Sequence, residues 1–297
     1  MLKMFHDAPA AGGSVAFWEQ AWRDGDYTES ARFCDSDPLR PLLDRHARPD
    51  SVMLEGGCGR GAYVARHSGR GVRAVGVDFA VAALADVRQR YPTLLLGAAD
   101  VSRLPIRARA VATYYSGGVV EHFEAGPHDA IAEARRVLHP TGVLLISVPY
   151  YSPLRRLMVV FHRHEWRRTT DHQAEAPPPG RVFFQYAYRP AEFDQILTEQ
   201  GFLVLDHQGY SVLWGLYELP LVGRILGRTA QRPRHPPTMA TGGRAANLPL
   251  PDTSLLKRLV VGEDDSVPIL GWFVRVLRWM AANMMMYVCT PAGAAPS

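Results

Sequence analysis

The sequence predicts an α/β fold with a mostly parallel sheet, and three observations indicate it. Apolar segments alternate with amphipathic segments between residues 51 and 149, which is typical of strands that helices cover on both faces. The first three apolar segments end on, or shortly before, the acids Glu55, Asp78 and Asp100. A glycine-rich loop at 56–61 follows the first segment. Since open parallel sheets bind ligands beyond the carboxyl ends of their strands, these residues also predict a binding site.

The predicted elements follow in chain order. Residues 14–46 are predicted to be helical, because Phe17, Trp18, Ala21 and Trp22 form one apolar face. These aromatic residues would cover a ligand or simply pack in the core. The predicted strands are 51–57, 72–78, 94–97, 110–116 and 142–149, and the predicted helices between and after them are 60–68, 80–90, 127–138 and 190–200.

The glycine loop lacks side-chain bulk, so a cofactor can lie directly against its backbone. Residues 57–62 also fit the pattern of dinucleotide-binding loops. Glu55 decides against that reading, because a carboxylate at the end of the strand repels a pyrophosphate and attracts an amino group. The loop therefore favours a cationic cofactor without phosphate groups.

The other two acids extend this site. Asp78 lies 21 residues after Gly57, where it could accept two hydrogen bonds from a ribose diol. Asp100 could accept a hydrogen bond from the exocyclic amine of adenine. A single aspartate is more commonly a helix cap or a turn residue. Three acids at the ends of three successive strands favour a binding site.

With these motifs the chain resembles the class I S-adenosylmethionine (SAM) dependent methyltransferases, in the broad group that acts on small molecules. The resemblance covers residues 15–150 well and becomes looser from 188 to 202 and in the last strand, while 211–283 show no match. The motifs that carry it are Glu55 to Gly61, Gly76 to Phe79, Ala99 to Val101 with Leu104-Pro105, Gly118 to Phe123, and Arg136 to Gly142. Pro140-Thr141-Gly142 and Arg109-Ala110 depart from the family pattern at positions that do not touch the cofactor.

The resemblance implies a Rossmann-like fold with a mostly parallel seven-stranded sheet and helices on both faces. Two further strands, the last antiparallel, are assigned to 202–208 and 284–290. The implied organisation is an N-terminal helical lid at 1–47 and a SAM-binding domain at 48–210, in which the loop 150–189 walls the acceptor pocket. Composition, and not the resemblance, predicts a helical insertion at 211–283 with a mobile Pro-, Arg- and Gly-rich linker at 231–253, before the last strand and tail at 284–297.

The resemblance also implies the site residues. Those expected to bind SAM are Glu55, Gly56, Gly57, Cys58, Gly59, Gly61, Asp78, Phe79, Asp100, Val101, Ser116 and Gly117. His122 and Glu121 are the catalytic candidates, and His122 is the first choice for a general base, since histidine titrates near neutral pH. The same dipeptide could be structural, with Glu121 tying the loop to a neighbouring helix.

Other polar residues are weaker candidates. His162, His164 and His172 are alternative bases, and their spacing is not that of a metal site, so no metal is expected. Four tyrosines that flank two strand ends could line the acceptor pocket, although about half of them would face the core. They are Tyr114, Tyr115, Tyr150 and Tyr151.

The predicted function is methyl transfer from SAM to an oxygen or nitrogen atom of a small molecule, such as a natural-product, sugar or lipid precursor, with release of S-adenosylhomocysteine. Nucleic-acid or protein methylation is the alternative. Base methylation is disfavoured because residues 116–119 read Ser-Gly-Gly-Val instead of the Asn/Asp-Pro-Pro-aromatic tetrapeptide of such enzymes. Nicotinamide-dependent oxidoreduction is more distant, because Glu55 and Asp100 oppose it. A non-catalytic SAM-binding protein is a further alternative.

The composition of the chain limits which partners and which cellular location are expected. The chain has 297 residues, a formal net charge of +4 and a pI near 9.0, and its basic residues are dispersed, so no nucleic-acid partner is expected. Three isolated cysteines and the lack of a signal-peptide pattern predict a reducing, cytoplasmic location. The apolar segments 211–226 and 267–289 are interrupted by charges, which disfavours membrane spans. The later segment could pack on the domain, form a homodimer or rest on a membrane surface, with packing or dimerisation favoured.

Overall fold

A central sheet of seven strands organises the chain. The computed structural model describes residues 1–7, 10–23, 34, 37–162, 165–173, 176–219, 263 and 268–293. The strands of the central sheet are β2 (Val52–Gly56), β3 (Arg73–Asp78), β4 (Leu95–Ala98), β5 (Val111–Gly117), β6 (Leu138–Pro149), β9 (Phe202–Tyr210) and β10 (Met284–Pro291). They follow the order β4-β3-β2-β5-β6-β10-β9, and β10 runs antiparallel to both of its neighbours. The predicted fold class is thereby confirmed.

Helices flank this sheet, and most lie where the sequence predicts them. They are α1 (Val15–Arg23), α2 (Arg40–His46), α3 (Ala62–Ser68), α4 (Val81–Arg90), α5 (His128–Val137), α6 (Pro153–Met158), α7 (Pro190–Glu199), α8 (Val212–Tyr217) and α9 (Pro268–Ala281). A 3-10 turn, Val120–His122, follows β5. Residues 24–33, 35–36 and the whole predicted linker at 231–253 lie outside the described residues. Among the described helices, none is long and apolar enough to cross a bilayer.

Two apolar layers hold the helices against the sheet. Neighbouring residues of one strand contribute to opposite layers: Tyr114 of β5 belongs to one cluster and Tyr115 to the other. Leu144 and Leu145 of β6 divide in the same way. This alternation follows from the pleat of a β-strand, in which successive side chains point to opposite faces. Both faces of the sheet are therefore core.

A second, three-stranded sheet was not predicted. Its strands are β1 (Leu2–His6), β7 (Trp166–Arg168) and β8 (Val182–Ala187), and β1 lies antiparallel between the other two. The prediction of a loop at 150–189 was therefore wrong, since that segment contains α6, β7 and β8. The prediction of a purely helical N-terminal segment was wrong for residues 2–6. These strands pair with partners remote in sequence, which local patterns do not reveal.

A buried arginine connects α6 to residues near both ends of the segment 211–283. Arg155 donates from Nε and Nη2 to the carboxylate of Glu218, at 2.8 and 2.6 Å. Its Nη1 donates to the carbonyl oxygens of Tyr150 and Asn283, at 2.9 and 3.0 Å. The guanidinium thus meets the carboxylate with the fork geometry that arginine favours. It fixes α6 at the edge of the sheet where β6 ends and β10 begins.

Candidate active site

A cavity of about 320 Å³ opens at the carboxyl ends of β2, β3 and β5. Nine residues predicted for the site line it, namely Glu55, Gly57, Cys58, Asp78, Phe79, Asp100, Val101, Gly117 and His122. They come from five separate segments of the chain. The structure thus brings together the three acids, part of the glycine loop and the candidate base, as expected for a ligand site at this edge of a parallel sheet.

The glycine loop is fixed by β3 and by close neighbours. The backbone N–H groups of Gly57 and Cys58 both donate to the carbonyl of Val77, at 2.8 and 2.9 Å. Gly57 and Gly59 have φ angles of +73° and +51°, a region that favours glycine. A side chain at Gly57 would overlap Val119, and one at Gly59 would overlap the ring of Trp22. Both positions therefore require glycine.

Glu55 is the most informative group of the cavity. Its side chain is buried, and its Oε2 has no hydrogen-bond partner among the described residues. The pKa of this carboxyl group is raised to about 8, mainly by burial, which a hydrogen bond from the backbone of Val64 partly offsets and to which the charge of Asp78 adds a smaller contribution. A buried oxygen of this kind is costly unless a donor meets it. The ammonium group of a methionine moiety is such a donor, so this position fits SAM.

Asp78 holds the loop while it faces the same cavity. Its Oδ2 accepts a hydrogen bond from the backbone N–H of Gly59 at 2.7 Å, and its Oδ1 accepts one from Ala80 at 2.8 Å. Burial raises the pKa of Asp78, and these backbone donors offset part of the shift. Each carboxylate oxygen has more than one lone pair. Asp78 can therefore anchor the loop and still accept a hydroxyl group.

Asp100 lies at the exposed rim of the cavity. Its Oδ1 accepts hydrogen bonds from the backbone N–H and the hydroxyl of Ser102, both at 2.8 Å. This is the local turn role that is common for aspartate. Asp100 therefore stabilises a local turn and also lines the cavity.

His122 is a buried histidine in the cavity wall. Its Nδ1 lies 2.8 Å from the carbonyl oxygen of Phe184, and since a carbonyl only accepts, Nδ1 carries the proton. Nε2 then presents a lone pair, and it has no hydrogen-bond partner among the described residues. Burial lowers the pKa of His122 to about 4. The ring is therefore neutral at pH 7, with Nε2 as a proton acceptor.

Glu121 does not line the cavity. The carboxyl group is buried, its Oε2 has no partner among the described residues, and its Oε1 lies 3.9 Å from Nε2 of His122, too far for a hydrogen bond. Burial raises the pKa of Glu121 to about 8. It is thus a neutral carboxylic acid behind the cavity wall at pH 7.

Glu121 gives a pH-dependent prediction. Its proton is bound more tightly in the folded chain than in the unfolded one, so its contribution to stability is lost as the pH rises from about 4.5 towards 8. Glu121→Gln should therefore raise the free energy of unfolding at about pH 8, by on the order of 2 kcal/mol, and change it little near pH 4.

Urea denaturation at the two pH values measures this effect. Glu133→Gln is the matched control, because the hydrogen bond from Arg136 lowers the pKa of Glu133, so its loss should destabilise the chain at about pH 8. An equal effect of Glu121→Gln at both pH values would contradict the shifted titration.

Aromatic residues of α1 cover the cavity. The rings of Trp18 and Trp22 stack with their centroids 5.7 Å apart, and both line the cavity. Trp18 Nε1 donates to the carbonyl of Gly12 at 2.6 Å, and its ring meets that of His122 edge to face at 5.0 Å. The helical pattern located this apolar face in the sequence, but it did not distinguish core packing from contact with a ligand. The role of 1–47 as a lid stays a prediction.

Further lining residues were not predicted. They are Gly13, Val15, Cys34, Arg60, Ala62, Tyr63, Ala99, Gly118, Val119 and Phe123. Five of them lie within the family motifs 55–61, 99–101 and 118–123, which were the available signal for them, namely Arg60, Ala99, Gly118, Val119 and Phe123. Tyr63, at the start of α3, donates to the carboxylate of the buried Asp37, a contact that no local pattern indicates.

Several predicted residues lie outside the cavity wall, namely Gly56, Gly59, Gly61, Ser116, Glu121 and all four tyrosines. Tyr114 and Tyr115 pack in the two core layers, as the alternation of β5 requires. Tyr150 donates its hydroxyl proton to the carbonyl of Trp279 at 3.1 Å, and the ring of Tyr151 lies 5.4 Å from the guanidinium of Arg189. The expectation that the tyrosines line the acceptor pocket is thus not met in this cavity.

The alternative histidines have structural partners. His162 lies 3.3 Å from the carboxylate of Glu165 and stacks on Trp166, and His172 contacts the hydroxyl of Tyr188 at 3.0 Å. Both are absent from the cavity wall, and His164 lies outside the described residues. Within the described part of the chain, no group of His, Cys, Asp and Glu side chains could hold a metal ion.

Comparison with known proteins agrees with this geometry. Residues 54–146 match the model of a methyltransferase domain. A probable S-adenosylmethionine-dependent methyltransferase from Mycolicibacterium smegmatis is 33% identical over 176 residues, which are 56% of this chain and 58% of that protein. Another from Mycobacterium tuberculosis is 32% identical over 38% of this chain and 42% of its own length. The matches thus span about half the length of these relatives.

A solved structure extends the likeness to the fold of most of the chain. The S-adenosylmethionine-dependent methyltransferase from Mesorhizobium loti superimposes with a TM-score of 0.50 and 13% identity, over 86% of this chain and 99% of that one. The sheet order, the acids at the strand ends and the matched segment agree with one another. The chain therefore contains a domain of the class I S-adenosylmethionine-dependent methyltransferase family.

Proposed function

We propose that this protein transfers the methyl group of SAM to an oxygen or nitrogen atom of a small molecule, with S-adenosylhomocysteine as the second product. The observation that carries the proposal is the buried Glu55 carboxyl, whose Oε2 meets no donor in the part of the chain that the structure describes, in a cavity that also contains Asp78 and His122. This arrangement suits a ligand with an ammonium group at one end and hydroxyl groups further along.

Different side chains are expected to bind different parts of SAM. Glu55 takes the ammonium group, because a buried carboxylate strongly favours a charged partner. Asp78 would accept from the ribose hydroxyls, and Asp100 and Val101, which follow β4 at the cavity wall, would contact the adenine. When bound, SAM supplies a methyl group on a positively charged sulfur. The rings of Trp18, Trp22 and Phe123 exclude water from the part of the cavity that they line.

The acceptor must lose a proton when it is a hydroxyl or an ammonium group. His122 can take that proton at Nε2, because Nδ1 is committed to Phe184 and the ring is neutral at pH 7. The contact with Phe184 fixes the ring, so the base needs no reorganisation. Alignment of the acceptor and removal of this proton are thus the tasks that the chain's own residues perform.

Binding of SAM to the full chain tests the proposal. Isothermal calorimetry should show binding of SAM and of S-adenosylhomocysteine, and both should raise the melting temperature. NAD should raise it far less, because its pyrophosphate, unlike an ammonium group, offers no donor to the buried carboxyl group of Glu55 and disfavours ionisation of that group. Transfer of a radiolabelled methyl group to a panel of phenols, carboxylic acids and amines then identifies the acceptor class. A larger thermal shift with NAD than with SAM would overturn the proposed function.

A further inference from the structure

Large apolar side chains are exposed on two neighbouring parts of the structure. Leu157, Val160 and Phe161, in and directly after α6, are 66%, 52% and 69% exposed. On α9, Trp272, Phe273, Trp279 and Met280 are 64%, 50%, 63% and 41% exposed. Seven of the thirteen large apolar side chains that are exposed among the described residues thus lie in these two parts. Such concentration marks an interaction surface, whereas single exposed residues need no explanation.

The two parts are connected by direct contacts. Helices α6 and α9 pack against each other. The hydroxyl of Tyr150, directly after β6, donates to the carbonyl of Trp279 on α9. Val274 and Ala281 are the buried side of α9. The exposed tryptophans therefore lie on the outer side of a helix whose inner side is already packed.

The unpaired charges around these side chains, among the described residues, are mainly positive. The exposed arginines are Arg156 on α6, Arg167 and Arg168 on β7, and Arg275 on α9. Arg168 Nη2 donates to the carbonyl of Arg156 at 3.2 Å, which brings β7 to the side of α6. Residues 268–281 contain no acid. Of the described acids nearby, Glu165 is paired with His162 and Arg181, and Glu263 with Arg278, while Asp264 and Asp265 lie outside the described residues. The surface is therefore both apolar and cationic.

We propose that α6, the residues from 159 to 161, β7 and α9 form a docking surface for an anionic lipid bilayer. Tryptophans beside arginines on an amphipathic helix are typical of elements that lie in the interface of a membrane. A second copy of the chain would bring the arginines of two docking surfaces together, and this like-charge contact opposes a symmetric dimer. The charge pattern therefore favours phosphate headgroups as the partner.

The docking surface lies near the cavity that is proposed to bind SAM. β6 ends at Pro149, and α6 begins a few residues later. β10 begins at Met284, shortly after the end of α9, and Met284 pairs with Pro149. Both helices of the docking surface therefore adjoin the end of β6. β6 is parallel to β5, whose carboxyl end borders the cavity. The docking surface thus lies at the cofactor edge of the sheet. If the proposed function holds, a methyl acceptor carried in the bilayer is presented to that edge, so the inference narrows the acceptor to a lipid-borne molecule.

Vesicle co-sedimentation of the full chain tests the docking. Vesicles of equal parts phosphatidylglycerol and phosphatidylcholine should pellet the protein, and vesicles of phosphatidylcholine alone should pellet at least about tenfold less at the same lipid concentration. Binding should weaken as salt is raised. The tryptophan emission should shift to the blue with the anionic vesicles, as indole rings leave water.

Substitutions separate the apolar and cationic contributions. The pair Trp272→Ser and Trp279→Ser should reduce binding by about tenfold or more, and the pair Arg167→Glu and Arg275→Glu by at least fivefold for each arginine. The matched control is Leu203→Ser with Leu205→Ser, since these leucines of β9 are 56% and 57% exposed and lie outside the docking surface. The control pair should bind the vesicles as the wild type does. Circular dichroism and melting temperature establish that each variant is folded.

Several outcomes would overturn the docking. They are absence of binding to both vesicle types by the folded wild type, equal binding to both, and equal loss in the leucine control. A dimer in light scattering that the tryptophan pair dissociates would assign the surface to a second copy. None of these readouts uses SAM, so failure of the docking and failure of the proposed function are distinguishable.

Discussion

Glu55→Gln is expected to weaken the binding of SAM by about 100- to 1,000-fold. The amide cannot neutralise the ammonium group of the methionine moiety, and a buried charge without its partner costs about 3–5 kcal/mol. The position is sensitive because Glu55 is buried and its Oε2 finds no donor within the described residues. Isothermal calorimetry of the folded variant measures the loss.

Asp100→Asn is the matched control for this prediction. The side chain lies in the same cavity wall but is exposed, so its hydrogen bond competes with water and its loss should cost tenfold or less. Equal effects of the two substitutions would contradict the assignment of the ammonium group to Glu55.

The same residue should couple binding to protons. The pKa of Glu55 in the free protein is about 8, so the carboxyl group is largely protonated at pH 7, and an incoming ammonium group favours its ionised form. Binding at pH 7 should therefore release a proton, and affinity should rise as the pH approaches 8. Calorimetry in phosphate and in Tris, whose ionisation enthalpies differ, measures the release. Retention of the full release in Glu55→Gln would assign the proton to another group.

The central sheet could be predicted because its signals are local. Each strand from β2 to β6 is a short apolar segment, and the acids lie within a few residues of the strand ends. The second sheet has no such signal: Leu2 pairs with Ala187 and Lys3 with Tyr186, across most of the chain. A five-residue strand without a neighbouring partner in sequence cannot be told from a terminal extension by its pattern alone.

The site shows the same division. Spacing after strand ends located Glu55, Asp78 and His122, because topology brings those ends to one edge. The direction of a side chain is not encoded by that spacing. Tyr114 and Tyr115 follow the pleat into two covered faces, whereas Trp22 lies over Gly59 only because α1 folds back across the loop. Burial and hydrogen bonding, which set the protonation of Glu55 and His122, arise from tertiary packing.

His122→Asn is expected to reduce the rate of methyl transfer by about 10²–10⁴-fold while leaving the affinity for SAM nearly unchanged. The amide of asparagine can still donate to the carbonyl of Phe184, as Nδ1 of His122 does at 2.8 Å, but it supplies no base in place of Nε2. The measurement is kcat with the acceptor that the wild type turns over, beside the Kd for SAM.

The pH profile separates a base from a structural histidine. Since the pKa of His122 is about 4, protonation of Nε2 should lower the wild-type rate as the pH falls towards 4, and this limb should vanish in the variant. His172→Asn is the matched control, because that histidine contacts Tyr188 outside the cavity, and it should retain both rate and profile. A large increase in the Kd for SAM with unchanged kcat in His122→Asn would show that His122 shapes the cofactor pocket. In that case the acceptor's proton would leave to another group or to water.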